Sequence, residues 1–260
     1  MIGYKVAKHD DIRVIVTLEI PEDAQTNMDR PSVVVRETAQ HRTNKAKVLA
    51  IEDASGTPYT TANSFNYDKK SLTYTVGEMI EEPSYNPDPE EVYAEGIHYF
   101  LTRRVTELYG LGEKENGLYQ CWYDNGQKFV EVTYVDGKRQ GLCVRWYDNG
   151  QKEMEANYVD GKFHGLVQHW YPNGQKETEE TYVDGDLHGF YQEWHSNGQK
   201  EVEATYVDGK FHGLYQSWHS NGQKNLEATY IDGELHWPYR RYSLEGTIIE
   251  DCKYERRVKV

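Results

Sequence analysis

The chain is poor in several things at once. It has three cysteines and six phenylalanines in 260 residues, and no long apolar run. Cys121, Cys143 and Cys252 form no C-x-x-C pair and are odd in number, so the thiols read as reduced and intracellular rather than as a disulfide framework. Mean hydropathy is -0.87. No stretch approaches the roughly 20 apolar residues of a membrane helix. The N-terminus lacks the charged-then-apolar pattern of a signal peptide. A soluble protein, not exported by the usual route, is expected. Positive charge is short as well, with 29 Lys and Arg against 43 Asp and Glu, a net charge of -14. Residues 1–110 hold 12 basic and 18 acidic side chains, and residues 111–260 hold 17 and 25. Nucleic-acid binding normally needs a basic face. The one basic cluster is Arg256, Arg257 and Lys259 in the tail. Nucleic acid and anionic membrane are therefore not expected partners.

What the chain has is tyrosine, 22 of them, and a period of 24 residues. Near-copies begin at Gly117, Gly141, Gly165, Gly189 and Gly213, with a worn sixth at Trp237. A fixed period of this size means a stacked array, and arrays usually bind or scaffold. Each copy carries an Asn-Gly, first at 125–126, and an Asp-Gly, first at 136–137, the strongest short-range hairpin signals. The segments between them have strand length, so an antiparallel meander is expected. In the first strand Leu118, Gln120 and Trp122 share one face, and Tyr119, Cys121 and Tyr123 share the other. In the second strand a column runs Tyr134, Tyr158, Tyr182, Tyr206, Tyr230 and Tyr254, with Glu131, Glu155, Glu179, Glu203 and Glu227 on the face opposite. One sheet has too little apolar material for a sandwich, so cross-strand aromatic contacts must hold it.

Residues 1–110 show no repeat. Lys5–Val6, Ile12–Ile20, Lys47–Ile51 and Leu72–Val76 read as strands, the last following Lys69-Lys70. Ser55-Gly56 reads as a turn, Pro83–Pro89 as a loop, and Thr102–Tyr109 as a helix ended by Gly110. The fold expected is mainly β. A small α+β domain (1–110) and a linker (111–116) precede an elongated single-sheet meander of about five hairpin repeats (117–236) and a degenerate cap (237–260).

The pattern W-Y-x-N-G-Q-K…E…Y-x-D-G-K over residues 117–254 resembles the MORN-type repeats, in the longer variant of bacterial YwqK-like antitoxin proteins. That resemblance implies scaffolding, dimerisation or protein binding, and carries no catalytic residue. The N-terminal segment is similar to an uncharacterised domain of giant-virus (Marseillevirus-like) proteins through K-A-K-V-L-A-I at 45–51, Tyr74 to Gly77, and E-G-I-H-Y-F at 95–100 leading into T-R-R-V-T-E-L-Y. This implies a protein made in host cytoplasm and packaged in a virion, with no activity attached.

Candidate sites divide by spacing. His164, His188, His212 and His236 form a column, with Gln140 in the first unit. Equivalent residues sit two strands apart, about 9.6 Å at about 4.8 Å per strand. Metal donors must converge at about 2.0–2.1 Å, so this column is expected to pack turns and not to hold a metal. The Glu column fails as a carboxylate pair on the same ruler and is expected to pair with Lys128, Lys152, Lys176, Lys200 and Lys224, or simply to be solvated. The positions flanking the Trp vary while the rest repeats. They give a candidate partner-binding face of Tyr119, Tyr123, Arg145, Tyr147, His169, Tyr171, Tyr191, Glu193, His195, Tyr215 and His219. Trp237, Tyr239 and Tyr242 are candidates for self-association. His9, Asp10, Asp11, His41 and His98 sit in no catalytic motif. No catalytic residue, cofactor or metal is expected. The leading reading is a non-enzymatic scaffold that binds a protein partner or itself. An antitoxin-like binder is the rival, and an enzyme with its site in 1–110 comes third.

Overall fold

A computed structural model describes residues 1–64, 71–91, 95–108 and 116–252, with the backbone of 254–255 and 258–259. Lys69-Lys70, the 111–115 stretch, Tyr109, Gly110, the side chain of Tyr254 and the basic tail cluster lie outside the described residues. The chain divides into two compact units. One is Met1–Gly112 with Gln120–Phe129, and the other is Glu113–Tyr119 with Val130–Val260.

The regular elements of the N-terminal unit are strands but for one helix. Its strands are β1 (Ile2–His9), β2 (Ile12–Glu19), β3 (His41–Thr43), β4 (Lys45–Glu52), β5 (Thr61–Asn63), β6 (Thr73–Thr75), β7 (Met79–Glu81) and β8 (Ile97–Tyr99), followed by one helix, α1 (Arg103–Leu108). Six of them form an antiparallel sheet in the order β6-β5-β1-β2-β4-β7, and β3 pairs β8 apart from it. Val14, Val16 and Leu18 alternate along β2 and are fully buried with Val48, Ile51, Tyr74, Ile97 and Tyr99. That period of two is what packs one sheet face onto a core. The expected strands are all present, Leu72–Val76 as the three residues of β6, and the helix starts one residue later than expected, at Arg103, its expected end at Tyr109 lying outside the described residues.

Polar groups tie the irregular parts to this core. Arg42 is fully buried, and its guanidinium donates to the carbonyls of Asn86 (2.9 Å), Glu95 (3.0 Å) and Asp88 (2.6 Å). Buried Arg30 donates to Gln40 O at 2.9 Å and to Asp124 O at 2.7 Å. The amides of Val34 and Val35 both donate to Asn125 O, and the Thr38 hydroxyl donates to Gly126 O. The turn around Asn125-Gly126 therefore belongs, by its contacts, to the N-terminal unit.

The repeat unit is one sheet of thirteen strands. They are β9 (Gly117–Trp122), β10 (Lys128–Val135), β11 (Lys138–Trp146), β12 (Lys152–Val159), β13 (Lys162–Trp170), β14 (Lys176–Val183), β15 (Asp186–Trp194), β16 (Lys200–Val207), β17 (Lys210–Phe211), β18 (Gly213–Trp218), β19 (Lys224–Ile231), β20 (Glu234–Tyr242) and β21 (Ile248–Cys252). Neighbours in sequence are neighbours in the sheet, and they pair antiparallel, with β17 and β18 both lying against β16. This is the expected meander.

The two turns of each repeat differ in kind. At Asp-Gly both residues take positive φ, for example 50° at Asp160 and 81° at Gly161, the two-residue turn whose twist matches the strands. At Asn-Gly only the Gly is positive. Gly150 N–H donates to Tyr147 O and Tyr147 N–H to Gln151 O, so the loop is longer and ends in a bulge beside the Trp. The reason is the Asn side chain. Its Oδ1 accepts the Gln151 amide at 2.9 Å, which holds Asn149 out of the left-handed region.

Candidate functional site

The sheet has two faces of different chemistry. Paired positions place Val132 opposite Cys143 and Cys143 opposite Ala156, so the Tyr column and the variable positions share one face. It is called the tyrosine face below. Rings meet across strands along it: Tyr158 with Phe163 at 4.7 Å, Tyr206 with Phe211 at 4.4 Å, and Phe211 with Tyr230 at 5.2 Å. The other face carries the Trp, Lys and Glu columns. Lys152, Lys176 and Lys200 lie over Trp170, Trp194 and Trp218 of the next repeat, 5.0 to 5.6 Å from the ring centres. Each of these lysines, and Lys224, also pairs with the Glu three residues on. Glu179 and Glu227 are held below the usual carboxylate range, first by their Lys partners.

Much of the repeating chemistry links one repeat to the next. The Asn149, Asn173, Asn197 and Asn221 amides donate to Pro172 O, Ser196 O, Ser220 O and Leu244 O, at 2.7 to 3.0 Å. His164, His188 and His212 each place Nδ1 3.3 to 3.6 Å from a carboxylate oxygen of Asp184, Asp208 or Asp232, in the following Asp-Gly turn. In the first repeat Gln140 Oε1 accepts the Asp160 amide at 3.0 Å. The histidines are turn clamps, and among the described residues no three His, Cys, Asp or Glu side chains are grouped to hold a metal.

Residues 115–136, 139–160, 163–184, 187–208 and 211–232 each match the MORN repeat variant. The array is a run of five MORN repeats. Repeats of this kind are commonly interaction or scaffold modules and generally non-enzymatic. Residues 1–106 match a family of unknown function, DUF5758. No curated protein matches the chain.

Within the MORN array the positions singled out from the sequence separate into two groups. From the second repeat to the fifth, the residues after the Trp bind the next repeat. Tyr147 and Tyr171 donate their hydroxyls to Trp170 O and Trp194 O, both at 2.8 Å. His195 and His219 donate Nε2–H to Trp218 O and Tyr242 O at 3.1 and 3.4 Å. Tyr123 stacks edge-on with Phe129 at 5.0 Å. The residues before the Trp lie in register across the sheet: Arg145 opposite Met154, His169 opposite Met154 and Thr178, Glu193 opposite Thr178 and Val202. Arg145 pairs with Glu153 at 3.2 Å. Tyr119 meets Tyr134 edge-on at 6.2 Å, and Tyr215 meets Phe211 at 5.4 Å. At the C-terminal end Trp237 is half exposed, Tyr239 lies opposite Ala228, and Tyr242 lies opposite Ile248.

One residue outside the expected set changes the middle of the face. The column Val132, Ala156, Ala204 and Ala228 is buried, but its third-repeat member is Glu180. Glu180 accepts the Tyr182 hydroxyl at 2.6 Å, and Glu193 accepts that of Tyr191 at 3.0 Å. Neither carboxylate has a cationic partner among the described residues. Burial pushes the Glu193 carboxyl up, and the neighbouring Glu201, Glu177 and Glu180 push it further. Alignment of the five repeats shows Glu180 as the odd member, which is the signal that would have found it.

A folded pKa raised above the unfolded value adds stability only at low pH, and that stability is lost as pH rises through the folded value. Ionised Glu193 therefore costs stability at neutral pH. Glu193→Gln is expected to raise the melting temperature at pH 7, with the gain vanishing below about pH 4.3, where the unfolded carboxyl protonates too. Calorimetry across this range checks it, and a variant that melts lower at neutral pH counts against it.

His9, His41 and His98 do not form a shared site among the described residues. His9 lies on β1 with Nδ1 2.7 Å from Thr61 O, whereas His41 is buried on β3 with Nε2 2.7 Å from Arg36 O. His98 lies on β8, opposite Arg42. Among the described residues no helix is long and apolar enough to cross a membrane.

Proposed function

We propose that the protein is a non-enzymatic scaffold that binds a partner protein on the tyrosine face of the array. The observation that supports this is the row before the Trp: Cys121, Arg145, His169, Glu193, Ser217 and Arg241. These side chains change charge and size from repeat to repeat on a backbone whose pairing stays constant. Constant support with variable chemistry suits recognition, because orientation is fixed by the scaffold and specificity by the side chains. Tyr191 and Tyr215 flank this row, and tyrosine is favoured at interfaces because it covers area with few rotatable bonds.

Cross-linking of the full chain in extract of its source, read by mass spectrometry, tests the proposal. One partner should be linked to residues at the edges of the tyrosine face. Links confined to residues 1–108 would overturn it. That the protein acts in a viral particle rests on the N-terminal resemblance alone, and mass spectrometry of purified particles tests that part separately.

A further inference from the structure

The face opposite the tyrosines carries two rows of exposed apolar side chains. Leu118, Leu142, Leu166, Phe190 and Leu214 recur once per repeat and are 43 to 69% exposed. Val135, Val159, Val183, Val207 and Ile231 form the second row, 36 to 48% exposed. Leu142 lies opposite Asn157, Leu166 opposite Thr181, Phe190 opposite Thr205, and Leu214 opposite Thr229. Each of Val159, Val183, Val207 and Ile231 follows its Asn or Thr by two residues on the same strand, so the two rows share one face. A single exposed Leu needs no explanation. Ten apolar side chains in register do, because the solvated face of an antiparallel sheet is ordinarily polar. Beside the stripe the same face is covered by polar groups, with Gln168 bonded to Glu179, Gln216 to Glu227, and lysines of the Lys–Glu pairs lying over the Trp rings.

The occupant follows from period, area and charge. The stripe repeats every two strands, about 9.6 Å. Only a surface with the same period meets all five repeats together, and a second copy of this array has it. Five repeats make the stripe roughly 50 Å long, and two rows about 7 Å apart make it roughly 13 Å wide, so each copy offers about 600 Å². Two copies together bury about 1,200 Å², the lower bound for a specific interface. The charged row beside the stripe is neutralised within its own copy by the Lys–Glu pairs.

We propose that the stripe packs against the same stripe of a second copy, sheet on sheet, about a two-fold axis at Leu166. That axis sets Leu142 against the partner's Phe190 and Leu118 against the partner's Leu214, as an isologous contact requires. The inference rests on the reading of the array as an interaction module and adds its self-partner. It uses the face that the proposed partner leaves free. Each copy carries a net charge of -14, so the dimer should tighten as salt rises.

Analytical ultracentrifugation of the full chain over the micromolar range is the test. A monomer–dimer equilibrium that strengthens with salt is expected. Leu142→Ser with Phe190→Ser alters only exposed positions and should weaken the dimer by about 10-fold or more without moving the melting temperature. Leu166→Cys should give a covalent dimer with a thiol-specific cross-linker, because the axis brings the two copies of that residue together. A chain that stays monomeric, or a dimer that ignores the serine pair and gives no Leu166→Cys product, overturns the proposal. A monomer that still binds a partner through the tyrosine face would sink the dimer and leave the scaffold reading standing. A dimer with no partner would do the reverse.

Discussion

Gly126→Ala is expected to destabilise the N-terminal unit by several kcal/mol, about 3 or more. A Cβ on Gly126 would stand 1.9 Å from Val35 O and 3.0 Å from Ala39 N, both backbone atoms that cannot swing away. The same segment holds the turn by the amides of Val34 and Val35 and the hydroxyl of Thr38, so relieving the clash costs hydrogen bonds too. Gly126 also has φ +87, which adds its own penalty for an L side chain. Gly141→Ala is the control. It has φ +75, but a Cβ there meets nothing within 4 Å, so only the backbone term of about 1–2 kcal/mol remains. Urea denaturation of both variants compares them, and equal losses would show that the close approach at Val35 contributes nothing.

Arg42→Met is expected to cost about 3–5 kcal/mol. The guanidinium is sealed from water, and the backbone carbonyls of Asn86, Asp88 and Glu95 accept its N–H groups. Methionine matches the length of the stem but donates to none of them; Glu95 O keeps the Asn86 amide, whereas Asn86 O and Asp88 O lose a charge-assisted donor, and the buried end of the side chain loses its polar anchor to the chain around it. Arg36→Met supplies the contrast. Its pair with Asp29 is largely exposed, at 51 and 85%, so its loss should cost at most about 1 kcal/mol. Circular-dichroism melting of both variants measures the difference. A mild Arg42 variant would mean that the loop holds itself.

The two cases mark where the sequence is easy and hard to read. The array was legible because its signals are local: Asn-Gly, Asp-Gly and alternation over eight residues state the turns and the strands between them. A rise of about 9.6 Å per repeat makes the His and Glu columns architecture, and His164, His188 and His212 clamp turns while Glu155, Glu179, Glu203 and Glu227 pair with lysines. The strands β3, β5, β7 and β8 were not legible, because three residues are too few to show a period. Arg42 was not legible either, since arginine belongs outside by composition and only the fold gives it three carbonyls. Half of the variable face was read too simply. Tyr147, Tyr171, His195 and His219 vary in identity, yet each binds the carbonyl of the next repeat, a long-range contact no single repeat reveals. Glu180 was visible as the odd member of its column, but its weight comes from Glu193, which pairing brings near it.

The variable row is the centre of the account, and exchanging two of its members tests it most directly. His169→Glu with Glu193→His keeps composition and backbone and alters only the order of side chains along the row. Binding of the cross-linked partner to this variant, measured by calorimetry against the original chain, should fall by about 10-fold or more although the melting temperature does not fall, since ionised Glu193 costs stability where it stands. Undiminished binding to the exchanged row would contradict the account.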